Sequence, residues 1–345
     1  MEIVDHYSGT EHERVVFGRD DACGYRGIIA IHSTRLGPAL GGARFWNYAS
    51  EADALADVLR LARGMTYKNA LAGLPFGGGK SIIIGDNRTT EREQLFRAHG
   101  RFVETLGGSY LTAEDVGTST ADMEFVLQET PHVAGLANRS GDPSPATARG
   151  VLRAMQAAAM HRWGSAELAS RRVALQGCGH VGYYLAKELR EAGAKLIVTD
   201  VDRERAGRVA CEYSAERVGP EEIYAVEADI FAPCALGGIL NDETIPQLKV
   251  EIVAGAANNQ LLEARHGEAL AARRILYAPD YAANAGGVIN GCIELLDWKQ
   301  SESHAKVEAI YDTLLEIFRR AETGGIPTYR AADQLAEARL EPAHA

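Results

Sequence analysis

The sequence predicts an α/β protein of two domains, the second built on a doubly wound parallel sheet. Three observations carry that expectation. Short Val- and Ile-rich runs alternate with amphipathic helical stretches along 345 residues, a length and an alternation that suit two α/β domains. Near the middle, Pro143-Ser144-Pro145 interrupts the pattern, as paired prolines do at a hinge or boundary. Beyond it, Gly177-Cys178-Gly179-His180-Val181-Gly182 stands between a strand-like and a helix-like run.

Composition narrows the class further. With 46% hydrophobic and 24% charged residues the chain reads as globular, and a net charge of −11 argues against nucleic acid or an anionic membrane as the main partner. Small anionic ligands need only local positive groups and stay open. No apolar run approaches the roughly 18 residues of a membrane span. The N-terminus, MEIVDHYSGTEHERVV, lacks the basic head and apolar core of a signal peptide. Cys23, Cys178, Cys211, Cys234 and Cys292 are scattered with no CxxC pair, which fits a reducing cytoplasm and predicts neither structural metal nor disulfide framework.

In the first domain, 13–17 and 27–32 read as strands, and Leu36-Gly37-Pro38-Ala39-Leu40-Gly41-Gly42 as a loop. Leu55, Val58, Leu59 and Ala62 fall at helical spacing, predicting a helix over 51–63 with Ser50 as N-cap and acids in its first turn. A second helix is expected over 91–106.

The stretch of most chemical interest is GMTYKNALAGLPFGGGK, residues 64–80. It holds Lys68 and Lys80, and three glycines precede Lys80. The apolar run 81–84 reads as a buried strand. Glycines allow positive φ and close backbone approach to a ligand. A lysine held there in a partly desolvated cleft, with a second ammonium nearby, loses proton affinity and can act as a base near neutral pH. The same pattern also suits two solvated lysines beside a glycine turn. Asp115, in the polar turn after the strand-like 110–112, is the expected proton-transfer partner of Lys80, unless it only caps the helix that follows.

In the second domain a helix is expected over 147–162 and a strand over 171–176. The glycine loop and a helix to about 192 follow, then a strand over 195–199 ending at Asp200. Asp200 stands 23 residues past Gly177. This is the dinucleotide fingerprint in its required setting: glycines for the tight turn, for approach to pyrophosphate and for helix packing, and a helix N-terminus for the phosphates. Asp200 accepts from ribose hydroxyls in such a site. With Asp202 it repels a 2′-phosphate, favouring NAD over NADP, while Arg203 and Arg205 count the other way. A glycine-rich turn in a domain that binds no nucleotide is the alternative.

Later strands, at 229–231, 251–254 and 275–277, end in small or polar clusters. Ligands bind beyond the carboxyl ends of such strands, so Ala232, Ala256 and Asn284 are expected to border the cofactor and Asn258 and Asn259 the nicotinamide or substrate. Ordinary turn chemistry also suits the asparagines. A last long helix is expected over 304–320, its apolar stripe serving packing.

GPALGGARFW (37–46), GMTYKNALAGLPFGGGK (64–80), TAEDVGT (112–118), DPSPATARGV (142–151), FAPCALGG (231–238), GAANNQL (255–261) and YAPDYAANAGGVIN (277–290) together resemble the leucine/phenylalanine/valine dehydrogenases, relatives of the glutamate dehydrogenases. The matches run in order along nearly the whole chain. The resemblance implies an N-terminal α/β substrate and oligomerisation domain over 1–138, on which a segment from about 322 to 345 packs back, and a Rossmann-type NAD-binding domain over 142–321, with the cleft between them. It implies NAD-dependent, reversible oxidative deamination of an L-amino acid to a 2-oxo acid and ammonia.

By the same resemblance Lys68 binds the substrate carboxylate, Lys80 activates water, and Asp115 moves protons to and from the substrate nitrogen. Asn258 helps to hold the carboxylate, and Gly41 and Gly42 line the substrate site. Thr147, Asp200 and the loop Gly177, Cys178, Gly179, His180, Val181 and Gly182 contact the cofactor. Leu40, Ala113, Val288 and Gly291 match the side-chain pocket. The first three look aliphatic-specific, whereas glycine at 291 stands where a bulkier residue is usual and enlarges the pocket. No charged group in that set pairs a second carboxylate, so the expected substrates are leucine, valine or isoleucine, then phenylalanine or tryptophan, rather than glutamate. Ala134 replaces a frequent threonine, a change without a reading. The chain ends soon after Leu340, where octameric relatives continue, so a homo-oligomer, as a dimer, is expected. A silent NAD-binding paralogue is the rival class, against which the presence of Lys68, Lys80, Asp115 and Asn258 together speaks.

Overall fold

The computed structural model describes residues 10–136 and 141–341. The first nine residues, the expected domain end at 138 and the last four residues lie outside the described residues. The chain divides into two compact units. The first takes the described residues up to Gly141, Gly291–Trp298 and those from Ala336 on; the second takes Asp142–Asn290 and Lys299–Leu335. Residues 322–335, expected with the first domain, therefore fall in the second unit.

The first unit is a mixed sheet between helical layers. Its strands are β1 (Arg14–Asp20), β2 (Tyr25–Ser33), β3 (Ala39–Leu40), β4 (Ala43–Trp46), β5 (Gly77–Ile84) and β6 (Tyr110–Leu111), in the order β1-β2-β5-β3-β6 with β4 also on β5. The loop expected over 36–42 thus contains β3, which pairs with β5 through Ala39–Gly77 and Leu40–Gly78. The helices are α1 (Glu51–Leu71), α2 (Glu93–Glu104) and α3 (Thr120–Leu127).

Strand alternation sorts the core. Ile28 and Ala30 of β2 and Ile82 of β5 pack with Ala54, Leu55, Val58, Leu59 and Ala62 of α1. Ile29 and Ile31 turn the other way, toward Val103, Leu106 and Tyr110. Ile83 joins Phe45, Phe96, Met123 and Val126 on that second face.

Two features depart from expectation. Helix α1 does not stop at Arg63 but continues through Gly64 to Leu71, with Thr66, Tyr67, Asn69, Ala70 and Leu71 buried. A glycine inside a helix costs only about 1 kcal/mol, and burying the last two turns outweighs it. The three glycines before Lys80 lie inside β5, not in a turn, and none has positive φ. A Cβ on Gly77 would stand 1.9 Å from the Ser33 carbonyl oxygen and one on Gly78 2.0 Å from the Thr66 nitrogen. Close approach to neighbouring backbone, rather than unusual φ, explains these glycines.

The second unit carries a parallel sheet of β7 (Arg172–Gln176), β8 (Lys195–Thr199), β9 (Glu216–Arg217), β10 (Ile230–Pro233), β11 (Ile252–Val253) and β12 (Leu276–Tyr277), ordered β9-β8-β7-β10-β11-β12. In sequence rank that is 3-2-1-4-5-6, the doubly wound order of dinucleotide-binding sheets. Helices α4 (Ser144–Trp163), α5 (His180–Glu191), α6 (Arg203–Tyr213), α7 (Ala264–Ala272) and α8 (Asp280–Ala283) accompany it. The single late helix expected over 304–320 is two, α10 (Gln300–Glu308) and α11 (Ile310–Gly324), meeting at Ala309. The helices α9 (Gly286–Leu295) and α12 (Thr328–Leu340) contribute residues to each unit.

Candidate active site

In the first unit the site grows from the pleat of β5. Lys80 shares the face of Ile82, the side covered by α1, and is paired in register with Ala30. Its ammonium lies 2.9 Å from Asp115 Oδ2, the two side chains being 6% and 17% exposed. Gly78, on the same face, lets α1 close at Thr66. Lys68 therefore sits in the last turn of the helix that covers Lys80, half-buried, where a cation also complements the helix dipole.

Asp115 does not cap the helix after it. Ser119 does, in a capping box with Asp122. The Asp115 backbone N–H donates to Thr118 Oγ1 at 2.8 Å. Gly117 next to it has φ of +81°, and a Cβ there would stand 2.0 Å from the Phe45 carbonyl oxygen. Arg92 holds the loop from outside, donating to the Gly117 carbonyl at 2.8 Å and to Asp122 at 2.7 Å. Gly41 and Gly42 lie against the same groups: a Cβ on Gly41 would reach the Gly79 carbonyl oxygen at 1.8 Å, and one on Gly42 the Asp115 Cβ at 2.9 Å.

Sequence reasoning missed what stands behind Asp115. Arg44 Nε donates to Asp115 Oδ2 at 3.1 Å and its Nη1 to Asp57 Oδ2 at 2.9 Å. Asp57 also accepts from the Tyr48 hydroxyl and from Arg60, each at 2.7 Å. No local signal announced it: Arg44 lies half-buried on the short strand β4 between Ala43 and Phe45, which are buried. Burial drives the Lys80 pKa down; Asp115 opposes this, and Arg44 adds to it. For Asp115, burial pushes upward, but Lys80 and Arg44 outweigh it and hold the carboxyl at about 2. The result is an ionised carboxylate beside an ammonium of reduced proton affinity.

In the second unit the loop after β7 divides the glycine roles. Gly177 has φ of +96°, a conformation only glycine adopts readily, and its N–H reaches the Thr199 carbonyl at 2.8 Å. Gly179 is the N-cap of α5 with no side-chain cap, and nothing lies within 4 Å of where its Cβ would be. A Cβ on Gly182 would stand 1.9 Å from the Gly177 carbonyl oxygen, so α5 packs tightly on the turn. This leaves free N–H groups and open space at the helix N-terminus, an anion cradle that any larger residue at 179 would fill. His180 is exposed and Val181 half-buried. Asp200 accepts the Cys178 N–H at 2.6 Å and the Asp202 N–H at 2.8 Å. Cys178 and Ala232 are fully enclosed and offer no surface to a ligand in this structure.

Asn284 is the other notable group. It is buried, its Nδ2 donates to the Ala256 carbonyl at 2.9 Å and to Asn258 Oδ1 at 2.8 Å, and its own Oδ1 is buried without a hydrogen bond. An orphaned buried acceptor beside the glycine loop's sheet edge fits the carboxamide N–H of a nicotinamide. Thr147 lies close by, its hydroxyl 2.8 Å from where a Gly287 Cβ would be. Asn259 has φ of +53° and donates its N–H to Asp280, which is turn chemistry, whereas Asn258 is exposed. Of the side-chain pocket residues, Leu40 is buried and Ala113 half-buried in the first unit, Val288 is half-buried in the second, and a Cβ on Gly291 would meet no described atom within 4 Å.

One unit with a doubly wound parallel sheet and a glycine turn, and one that carries a buried Lys-Asp pair beside a glycine strand, are the two parts of an α/β dehydrogenase. The glutamate/leucine/phenylalanine/valine dehydrogenase model matches residues 140–212 and 197–344, and its companion, the Glu/Leu/Phe/Val dehydrogenase dimerisation domain, matches 12–132. The chain belongs to this family.

It is 54% identical to a leucine dehydrogenase of Geobacillus stearothermophilus over 344 residues, covering 99% of this chain and 94% of that one. A valine dehydrogenase of Streptomyces albus is 50% identical over 352 residues, covering 100% and 96%. Among solved structures, an L-tryptophan dehydrogenase from Nostoc punctiforme matches with a TM-score of 0.87 and 44% identity over 98% of each chain. No helix among the described residues is long and apolar enough to cross a membrane.

Proposed function

We propose that this protein catalyses the NAD-dependent, reversible oxidative deamination of an apolar L-amino acid, of the leucine, valine or isoleucine type, to the 2-oxo acid, ammonia and NADH. The observation that carries the reading is the buried Lys80–Asp115 pair in a chain of this family. Lys68 binds the substrate carboxylate, and Asn258, whose Oδ1 accepts from Asn284 Nδ2 at 2.8 Å, has the carboxylate-holding role that the family resemblance implies. Bound NAD supplies the acceptor for the Cα hydrogen and its electron pair. Lys80, in its neutral form, takes a proton from the water that attacks the imine carbon. Asp115 exchanges a proton with the substrate nitrogen as ammonia leaves. Gly177, Gly179, Gly182, Asp200, Thr147 and Asn284 hold the dinucleotide, and Asp200 favours NAD over NADP by repelling a 2′-phosphate.

An aromatic substrate is the second reading. It is favoured by the open space in front of Gly291 and by the likeness to a tryptophan dehydrogenase. The match to a dimerisation domain supports a homo-oligomer, with a dimer as its simplest form, and a cytoplasmic protein suits five free cysteines.

The test is NADH formation at alkaline pH with valine, leucine, isoleucine, phenylalanine, tryptophan and glutamate, with Lys80→Ala as control. Turnover led by leucine or valine supports the first reading, and turnover led by the aromatics supports the second. Equal kcat/KM for glutamate defeats both. Silence across the panel with NAD still bound moves the protein to the class of catalytically silent NAD binders.

A further inference from the structure

Arg44 spans two carboxylates. Its Nε is 3.1 Å from Asp115 Oδ2 and its Nη1 2.9 Å from Asp57 Oδ2, with all three side chains 17% exposed. Lys80 approaches the same Asp115 oxygen, Oδ2, at 2.9 Å. Both cations thus meet at one carboxylate oxygen. A purely structural tie between β4 and α1 would need only the Asp57 contact, and Asp57 is already held by Tyr48 and Arg60. The second donor of the guanidinium fork goes to the proton-transfer carboxylate.

We propose that Arg44 is a positioning residue for the deamination: it clamps Asp115 through Oδ2, against an anchor at Asp57, and so fixes the orientation of the carboxylate that meets the substrate nitrogen. The inference rests on the proposed function. Arginine suits this role because its planar fork fixes two acceptors at once, which a single ammonium does not. The arrangement also sets the charge felt by Lys80. The ionisable groups around the pair are Asp115 in the loop after β6, Arg44 on β4, Asp57 on α1 with Tyr48 and Arg60 on its far side, and Tyr110 on β6, which Asp115 influences. Arg44 lowers the Lys80 pKa and Asp57 raises it, both after the larger effect of burial.

The experiment measures kcat, KM and the pH profile of kcat/KM for leucine oxidation in wild type, Arg44→Met, Arg44→Lys and Asp57→Asn. Circular dichroism and NADH fluorescence titration check fold and cofactor binding. In Arg44→Met, kcat should fall about 10²-fold, as expected for a misplaced catalytic group, with KM for leucine little changed. The rising limb of the profile should move to higher pH, because Lys80 loses a repelling cation. Arg44→Lys should return the limb toward wild type without restoring kcat. Asp57→Asn should move the limb down. Should Arg44→Met fail to fold, the other two variants still decide.

A limb unmoved in all folded variants, or activity lost only in proportion to folded protein, overturns the role of Arg44. Absence of wild-type turnover overturns the assigned function and this role with it. Normal wild-type turnover with unmoved variant profiles overturns this role alone.

Discussion

Lys80 Nζ and Asp115 Oδ2 face each other at 2.9 Å in a nearly dry part of the first unit. They come from different elements, one from a strand and one from the loop after β6, 35 positions apart in sequence. Each sets the proton affinity of the other, and that coupling makes the site testable.

Asp115→Asn keeps the shape of the side chain and removes its charge. Lys80 then loses the anion that opposes burial, so its pKa falls further and the rising limb of kcat/KM moves to lower pH. The lost proton exchange should reduce kcat by about 10²–10⁴-fold. Lys80→Ala should abolish turnover while leaving NADH binding intact. It should also destabilise the fold by about 1–3 kcal/mol, because a buried carboxylate keeps only one of its two cations. Steady-state kinetics and chemical denaturation measure both.

Acid stability should be governed by buried neutral histidines. His99 is fully enclosed, bonded to Tyr25 at 2.9 Å and to Ser81 at 3.3 Å, and burial drives its pKa to about 3. Above roughly pH 6.5 His99 is neutral folded or unfolded, and nothing is lost. Below that the unfolded chain takes up a proton that the core refuses until about pH 3. Stability should therefore fall by about 1.4 kcal/mol per pH unit from this group across that window, with His32, held at about 4, adding to it. Denaturation midpoints between pH 8 and 4.5 should fall less steeply in His99→Gln. An identical slope would contradict the assignment.

The glycines should split into two kinds. Gly78→Ala forces a Cβ to 2.0 Å from a backbone nitrogen on α1, a clash that no rotamer relieves, and it should cost at least the roughly 1–3 kcal/mol of an overpacked core. Gly291→Val meets open space, so thermal stability should hold. By narrowing the pocket it should favour valine and leucine over phenylalanine by about 1–3 kcal/mol, a factor of roughly 10 to 200 in relative kcat/KM.

Asp200 binds two backbone N–H groups, of Cys178 and Asp202, and so shapes the turn as well as charging it. Asp200→Ser should weaken NADH binding and narrow the preference over NADPH, measured by fluorescence titration with both. Unchanged selectivity would place discrimination elsewhere, with Arg203 and Arg205 as the next residues to vary.

By itself the sequence determined whatever near neighbours along the chain decide. The strand-turn-helix of 172–191 with its three glycines, the N-cap at Ser50 and the strand over 27–32 follow from local sterics, capping and β-branched composition. Lys80 and Asp115 were legible as chemistry for a similar reason: each stands in a short motif that resembles a known family. Tertiary structure alone decided how they are held. Arg44 meets Asp115 71 positions away and Asp57 13 away, and no period or spacing announces such a bridge.

The place of Gly77, Gly78 and Gly79 inside β5, where the sequence also suits a glycine turn, has the same cause. Their necessity lies in Ser33, Thr66 and Tyr110, atoms on other elements that a Cβ would strike. Helix α1 ran past Gly64 because burial of its last two turns, which only the packed sheet supplies, exceeds the local cost of one glycine. Local propensity sets what a segment can be, and desolvation by distant residues sets what it is and what its charges can do.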